Sequence, residues 1–380
     1  MAGSPTIPPP SQTVGGTNGY LEFESPLLRI QQDMEQLERE QAESGRDASA
    51  EIKRQKSKLR ARTKRLYASL TPWETVLVAR HPQRPLVTDY IQRIVRDFCE
   101  LHGDRTYGDD AAIMTGFGRI AGHKVMIVGH NKGKDTKERI VCNFGCAHPE
   151  GYRKAMLKMR LAAKYGLPVV AFIDTQGAYP GIGAEERGIH QAIANNLMEM
   201  SRLRTPIVCV VIGEGGSGGA LGIGVGDRVA MLEHSFYSVI SPEGCAAILF
   251  KTGEQRKRAA EMLKLTSKEL SKLDLIDAVI EEPLGGAHRD PDQIAADVER
   301  YLDDTLRGLK RLKIDTLLKR RYDRIRKTGC FFESAAARRK ARARHNVPAS
   351  PVSATVERPV PASRLAGARR PQTTPARSTS

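Results

Sequence analysis

A chain of 380 residues, 40% hydrophobic and 27% charged, can bury a large core in one or two domains. No apolar run approaches the ~20 residues of a membrane span, no basic segment leads into an apolar one as in a secretory signal, and six cysteines without a Cys-x-x-Cys pair fit a reducing cytosol. The net charge of +16 belongs to the end of the chain, since residues 307–380 hold 20 Lys/Arg against four acids and residues 1–306 hold 40 of each sign.

Residues 1–20 are uncharged and rich in Pro, Gly, Ser and Thr, the composition of a disordered segment. Residues 21–80 are expected to be helical. Leu27, Ile30, Met34 and Leu37 form one stripe, and Ile52, Leu59 and Leu66 recur every seven residues in a strongly basic stretch. Two amphipathic helices folded as a hairpin are predicted, covering either the main domain or another subunit. The main domain is placed at residues 81–306. Within it, residues 90–102 read as a helix, residues 112–120 and 123–130 as a hairpin turning at Ala121-Gly122, and residues 151–165 as a helix stopped by Gly166-Leu167-Pro168. Residues 169–174 read as a buried strand that leads into Thr175-Gln176-Gly177-Ala178-Tyr179-Pro180-Gly181. The next helix carries Glu185 and Glu186 in its first turn and runs to about residue 203.

The chain is organised around residues 206–227. Ile207, Val208, Val210, Val211 and Ile212 have the composition of a buried strand. It is expected to end in Gly213-Glu214-Gly215-Gly216-Ser217-Gly218-Gly219, before a small, tightly packed helix at residues 220–225. Strand, glycine loop and helix N-terminus aim several backbone N–H groups at one spot, and glycines permit positive φ and close approach. That pattern suits an anion site or an oxyanion hole. It equally suits a tight turn or a close helix–strand crossing. Further short strands are expected at residues 229–232, 237–240 and 276–280. Two strand–loop–helix units with loops at the strands' C-terminal ends make an α/β architecture.

Several chemistries are excluded. No Gly-x4-Gly-Lys-Ser/Thr occurs, and the glycine spacing fails the dinucleotide fingerprint. Cys142, Cys146 and His148 lack a clear fourth metal ligand, so packing explains them better. Neither a nucleophile elbow nor a Ser/His/Asp pattern is read around either loop. His130 and His234 read as hydrogen-bonded structural histidines. After residue 307 the chain reads as a basic helix to about residue 328, then as a disordered basic tail over residues 329–380. That tail is read as a solvated extension in preference to a nucleic-acid site, because aromatics for base stacking are nearly absent.

A set of motifs in a fixed order carries a resemblance. They are His81-Pro-Gln-Arg-Pro85, Gly129-His-Asn-Lys-Gly-Lys-Asp-Thr-Lys-Glu138, Pro149-Glu-Gly-Tyr-Arg-Lys154, Asp174-Thr-Gln-Gly-Ala-Tyr-Pro-Gly181, Gly183-Ala-Glu-Glu-Arg-Gly188, Val211-Ile-Gly-Glu-Gly-Gly-Ser-Gly-Gly-Ala-Leu221, Ser238-Val-Ile-Ser-Pro-Glu-Gly-Cys-Ala246 and Glu282-Pro-Leu-Gly-Gly-Ala-His-Arg-Asp-Pro291. From residue 21 to about residue 324 the chain resembles the alpha subunits of bacterial-type, multisubunit acetyl-CoA carboxylase carboxyltransferases. The resemblance implies a crotonase-like fold of repeated ββα units and a complex of two alpha and two beta subunits. It implies transfer of a carboxyl group from carboxybiotin, held on a biotin carboxyl carrier protein charged by biotin carboxylase, to acetyl-CoA, giving malonyl-CoA. The beta subunit would hold zinc and most acyl-CoA contacts; this chain would hold no metal and supply the biotin side. Gly218 and Gly219 match the family's oxyanion pair, two N–H donors for the ureido oxygen that gains charge as the carboxyl leaves. Gly215 and Gly216 would shape the approach, and Gly177, Ala178 and Tyr179 would wall the pocket.

Departures from the family pattern are Gln176 in place of a proline, Cys142, Cys146 and Ala147 in place of Arg, Met and Pro, and Gly222 in place of an alanine. Arg153, Lys154, Arg187 and residues 288–290 are candidates for phosphate contact or loop ordering. A rival reading keeps the fold and assigns acyl-CoA hydration or isomerisation, with Glu185 or Glu214 as the acid–base group.

Overall fold

The computed structural model describes residues 19–45 and 47–329. Of the segments expected to be disordered, 1–20 and 329–380, all but residues 19, 20 and 329 lie outside the described residues. Helices α1 (Ser25–Ser44) and α2 (Ser49–Ala68) form the expected hairpin, with Gly45 at φ 68° ending α1. Leu27, Ile30 and Met34 are buried, so the predicted stripe is the packed face. Helix α3 (Pro72–Ala79) begins in a capping box, Thr71 accepting from the Glu74 N–H while Glu74 accepts from the Thr71 N–H.

Residues 90–102 do not form one helix. Helix α4 (Val87–Ile94) stops where Val95 turns extended, and strand β1 (Arg96–Glu100) pairs antiparallel with β2 (Ile113–Ile120). The cause is non-local. A Cβ on Gly116 would lie 2.5 Å from the Phe98 ring, and one on Gly118 would overlap Val95. Two glycines across the ladder make room for a strand that its own apolar period disguises as helix. Strands β2 and β3 (His123–His130) form the predicted hairpin, with Ala121 and Gly122 both at positive φ, as a two-residue turn of matching twist requires.

Helix α5 (Thr136–Val141) is capped by Asp135, and α6 (Pro149–Lys164) precedes β4 (Val169–Thr175). The helix expected to run from Glu185 to residue 203 is two, α7 (Ile182–Glu186) and α8 (Ile189–Arg202), because Gly188 sits at φ 77° between them. Strand β5 (Ile207–Gly216) leads into α9 (Ser217–Leu221), followed by β6 (Arg228–Leu232) and β7 (Phe236–Ser238). Helices α10 (Pro242–Phe250), α11 (Arg256–Leu263) and α12 (Ser267–Lys272) precede β8 (Ala278–Ile280), and α13 (Pro291–Lys310) and α14 (Ile314–Lys327) end the described chain. The basic segment after residue 307 is thus the end of α13 plus α14.

The sheet runs β1-β2-β3-β4-β5-β6-β8, with β7 added to the far end of β5. Its first two junctions are antiparallel and the rest parallel. Side chains alternate between two cores. Val169, Ala171 and Ile173 of β4 face α6 and α8, whereas Val170 and Phe172 face α4 and α13. Both faces are covered, which is why β4 and β5 read as continuous apolar runs.

Candidate active site

The glycine run after β5 is mostly strand. Gly215 and Gly216 lie within β5 and pair with Tyr237 and Ser238 of β7. None of the glycines from Gly213 to Gly219 has positive φ; the chain turns on Ser217, at φ 55°. These glycines serve close approach instead. A Cβ on Gly216 would overlap the Gln176 carbonyl, one on Gly215 would lie 2.8 Å from the Tyr237 ring, and one on Gly219 would lie 2.6 Å from Ala178 N and 2.8 Å from Gly177 Cα. The loops after β4 and β5 are therefore packed backbone against backbone. By contrast, a Cβ on Gly177 would meet nothing within 4 Å, and one on Gly218 would meet only Ile193, at 3.7 Å.

The helix expected at residues 220–225 is the five-residue α9, starting at Ser217. So short a helix has little macrodipole, and the electrostatics rest on individual N–H groups. Gly218 and Gly219 are its second and third residues, whose N–H groups have no carbonyl one helical turn back. The N-cap, Gly216, offers no side chain to satisfy them. A strand, a positive-φ serine and a helix also make the backbone form of a nucleophile elbow, in a Gly-x-Ser-x-Gly frame that sequence reading passed over. Among the described residues, the Ser217 hydroxyl has no hydrogen bond to a histidine or carboxylate, so the chemistry of an elbow is not assembled. The Tyr179 ring centroid lies 4.1 Å from that of His148, and the Tyr179 N–H donates to the Ala147 carbonyl at 3.0 Å.

Beside the loops lies a small cleft of about 70 Å³, lined by Arg80, Arg84, Lys132, Arg139, Gln176 and Glu214 among others. Lys132 Nζ pairs with Asp174 Oδ1 at 2.6 Å and Glu214 Oε1 at 2.7 Å; Arg80 pairs with Glu214 Oε2 at 2.7 Å and Glu243 Oε1 at 2.6 Å. Arg84 binds Glu282 at 2.6 Å and donates to the Ile212 carbonyl at 2.7 Å. Burial alone would raise the Glu214 carboxyl, but Lys132 and Arg80 hold it down at about 2. Sequence reading did not single out this cluster, because its ion pairs join residues 42 to 198 positions apart in the chain and only the fold brings them together.

The remaining candidates are engaged elsewhere. Arg187 pairs with Glu150 at 2.6 Å, Arg153 with Asp104 at 2.8 Å and Lys154 with Asp109 at 2.5 Å, each ordering a loop. Asp290 caps α13, and His288 stacks on His81 with centroids 3.7 Å apart. Glu185 pairs with His190 on the surface. Burial holds His130 down at about 3, so it is a neutral imidazole, and its Nδ1 accepts from the Asp174 N–H at 3.4 Å. Burial likewise lowers His234. The stretch with unusual cysteines packs under the site. Asn143, Phe144 and Gly145 all have positive φ, and the Gly145 carbonyl accepts from the Thr175 hydroxyl at 2.7 Å.

Comparison with known proteins identifies the family of the chain. The profile of the family described as acetyl co-enzyme A carboxylase carboxyltransferase-like matches residues 20–329. The chain is 53% identical over 319 residues to the acetyl-coenzyme A carboxylase carboxyl transferase subunit alpha of Rhodopirellula baltica, covering 83% of this chain and 98% of that one. It is 55% identical over 317 residues to the protein of the same name from Chromobacterium violaceum, covering 83% and 99%. Among solved structures, the Pseudomonas malonate decarboxylase heterotetramer in complex with coenzyme A is similar at a TM-score of 0.48 and 17% identity, over 63% of this chain and 91% of that one. With more than half of the aligned residues identical to such relatives along nearly their whole length, this chain belongs to the acetyl-CoA carboxylase carboxyltransferase family.

Proposed function

We propose that this chain is the biotin-side half of a carboxyltransferase, moving a carboxyl group from carboxybiotin on a separate carrier protein to acetyl-CoA and so forming malonyl-CoA. The observation that carries the reading is the pair of N–H groups of Gly218 and Gly219 at the start of α9, beside the open face of Gly177. Carboxybiotin, when bound, supplies the activated carboxyl group and a ureido carbonyl that gains charge as that group leaves. Gly218 and Gly219 hold two donors in place for that oxygen, so the site needs no reorganisation as charge develops. Gly177 leaves room for a ring, and Ala178 and Tyr179 form the wall. Glu214 is unsuited to the rival acid–base role, because it is buried and held ionised between Lys132 and Arg80.

The partners are a zinc-bearing beta subunit, in a complex of two alpha and two beta chains, with acetyl-CoA and the biotin carboxyl carrier protein, in the cytoplasm. Exposed apolar side chains ring the loops and support a covering partner: Ile182 after Gly181, Leu221 after Ala220 and Val239 after Ser238. No helix among the described residues is long and apolar enough to cross a membrane.

The test mixes this chain with its beta partner, acetyl-CoA and carboxylated carrier, follows malonyl-CoA, and assays each chain alone. Activity is expected only in the mixture. G219A puts a methyl group against Gly177 and Ala178 and must push the loops apart, so turnover should fall about 10²–10³-fold, the loss typical of one oxyanion donor. Full turnover by an assembled G219A complex would place the donors elsewhere, and turnover by this chain alone would sink the two-subunit reading.

A further inference from the structure

Strands β4 and β5 stay in register from Val169↔Ile207 to Ile173↔Val211, then resume at Thr175↔Gly215. One residue of β4, Asp174, thus faces three of β5, Ile212, Gly213 and Glu214. An insertion of this kind re-aims the chain beyond it. On β4 that chain is the Gly177 loop, and on β5 it carries the Gly218–Gly219 donors. Parallel strands of Val and Ile offer little side-chain information against a slip, so something else must hold the bulge.

The Asp174 carboxylate fills it. It lies over Gly213, where a Cβ would fall 2.5 Å from Oδ1, and Oδ1 accepts from the Glu214 N–H at 2.8 Å. The Asp174 and Glu214 carboxylates then lie close together in a buried place, an arrangement that like charges oppose. Lys132 sits between them at 2.6 and 2.7 Å, its side chain reaching over from the end of β3, and Arg80 binds the other oxygen of Glu214. The same Lys132 chain backs the Gly145 turn, where a Cβ would fall 2.9 Å from Lys132 Cγ and 3.0 Å from the Asp174 carbonyl.

We infer that Lys132 is a positioning residue: by pairing with Asp174 and Glu214 at once, it clamps the bulge and sets the spacing between the Gly177 wall and the Gly218–Gly219 donors. The inference rests on the function proposed above. Lys132 acts through charge balance on the two loop roots, without touching the reacting atoms. Burial disfavours its charge, and the two carboxylates more than compensate, so that it stays protonated.

The experiment measures kcat and KM for malonyl-CoA formation by the assembled complex, with wild-type chain as the reference. An inactive wild-type complex would count against the proposed function and not against the clamp. K132M should lower kcat about 100-fold, the effect of a displacement of about 1 Å at the donors, with KM within about two-fold. K132R should recover most of the loss. The decisive variant is K132M/D174N, in which the new amide oxygen still accepts from the Glu214 N–H while one of the two opposed charges is gone; kcat should recover about ten-fold or more over K132M. Failure of that double variant to recover would mean that Lys132 acts on substrate directly, overturning the clamp. Wild-type kcat in K132M would overturn it as well. Should K132M fail to assemble, E214Q decides: it keeps the shape and weakens both ion pairs, so kcat should fall at least about ten-fold, and wild-type kcat in E214Q would overturn the inference.

Discussion

Strand β5 is tied by buried ion pairs at both ends, and the two ties differ. At its start, Arg321 of α14 is fully buried and every N–H of its guanidinium is used: two bonds to Asp227, at 2.8 and 2.6 Å, and three to the carbonyls of Met200, Leu203 and Thr205. Asp227 in turn accepts from the Ile207 N–H at 2.7 Å. One cation meets one anion, away from the cleft. At the other end, Lys132 and Arg80 serve three carboxylates, Asp174, Glu214 and Glu243, and the group lines the open cleft beside the glycine loops. The first tie closes the fold and the second shapes a site. In parallel sheets ligands gather outside the carboxyl ends of the strands, and this division of labour along one strand follows that rule.

The sharpest way to break the comparison is R321M. Removing the cation strands the Asp227 carboxylate and three carbonyls, and such a loss costs roughly 3–5 kcal/mol. Denaturant unfolding of R321M should show that loss, with the kcat of whatever complex remains folded close to wild type. A large fall in kcat at unchanged stability would mean that the two ends are not separate.

A pH series distinguishes the ends further. His81, His130, His234 and His288 all stand at the cleft end of the sheet, and burial is the main cause lowering each, to about 3 for His130 and about 2 for His288. The folded protein binds a proton on each of these rings less readily than the unfolded chain, which protonates them below about 6.5, so folding loses stability as pH falls from there. Unfolding free energy should therefore drop between about pH 6.5 and 5, by at most about 1.4 kcal/mol per pH unit for each histidine. H288Q should flatten the slope. Among the described residues no imidazole is bonded to Arg321, so the deficit of R321M should be equal at about pH 7.5 and 6. A deficit that changed with pH would tie that end to the histidines.

The smallest effect is expected where an ion pair is exposed. Lys56 of α2 meets Glu38 of α1 at 3.5 Å with both side chains largely in solvent. K56A should change stability by no more than about 0.5 kcal/mol, since solvent and salt screen such pairs. A loss of several kcal/mol would show that the hairpin relies on charge as the sheet does.

Much of the architecture was legible in the chain. The β2–β3 hairpin, the β4 and β5 strands and the α1–α2 stripe follow from local apolar periods and from the turn residues Ala121-Gly122, because those signals act over a few neighbouring positions. What local periodicity hid was decided across the sheet. Phe98 joins a strand because Gly116 and Gly118, on another strand, leave space for it and for Val95. The glycine-rich stretch was legible as a place of close backbone approach, and its family motifs pointed to the site. Its geometry was not legible: the turn falls on Ser217, and Gly215 and Gly216 are strand because β7 pairs with them.

By itself the sequence determined the α/β class, the order of most elements and the family, because periodicity, turn chemistry and motif order are carried by residues near one another in the chain. Only the tertiary structure decided that Gly219 rests on Gly177, that Asp174 fills a bulge opposite Glu214, and that Lys132 and Arg80 balance the charge there. Those contacts join residues 40 or more positions apart, and a buried charge finds its partner by position in space, which no stretch of chain records.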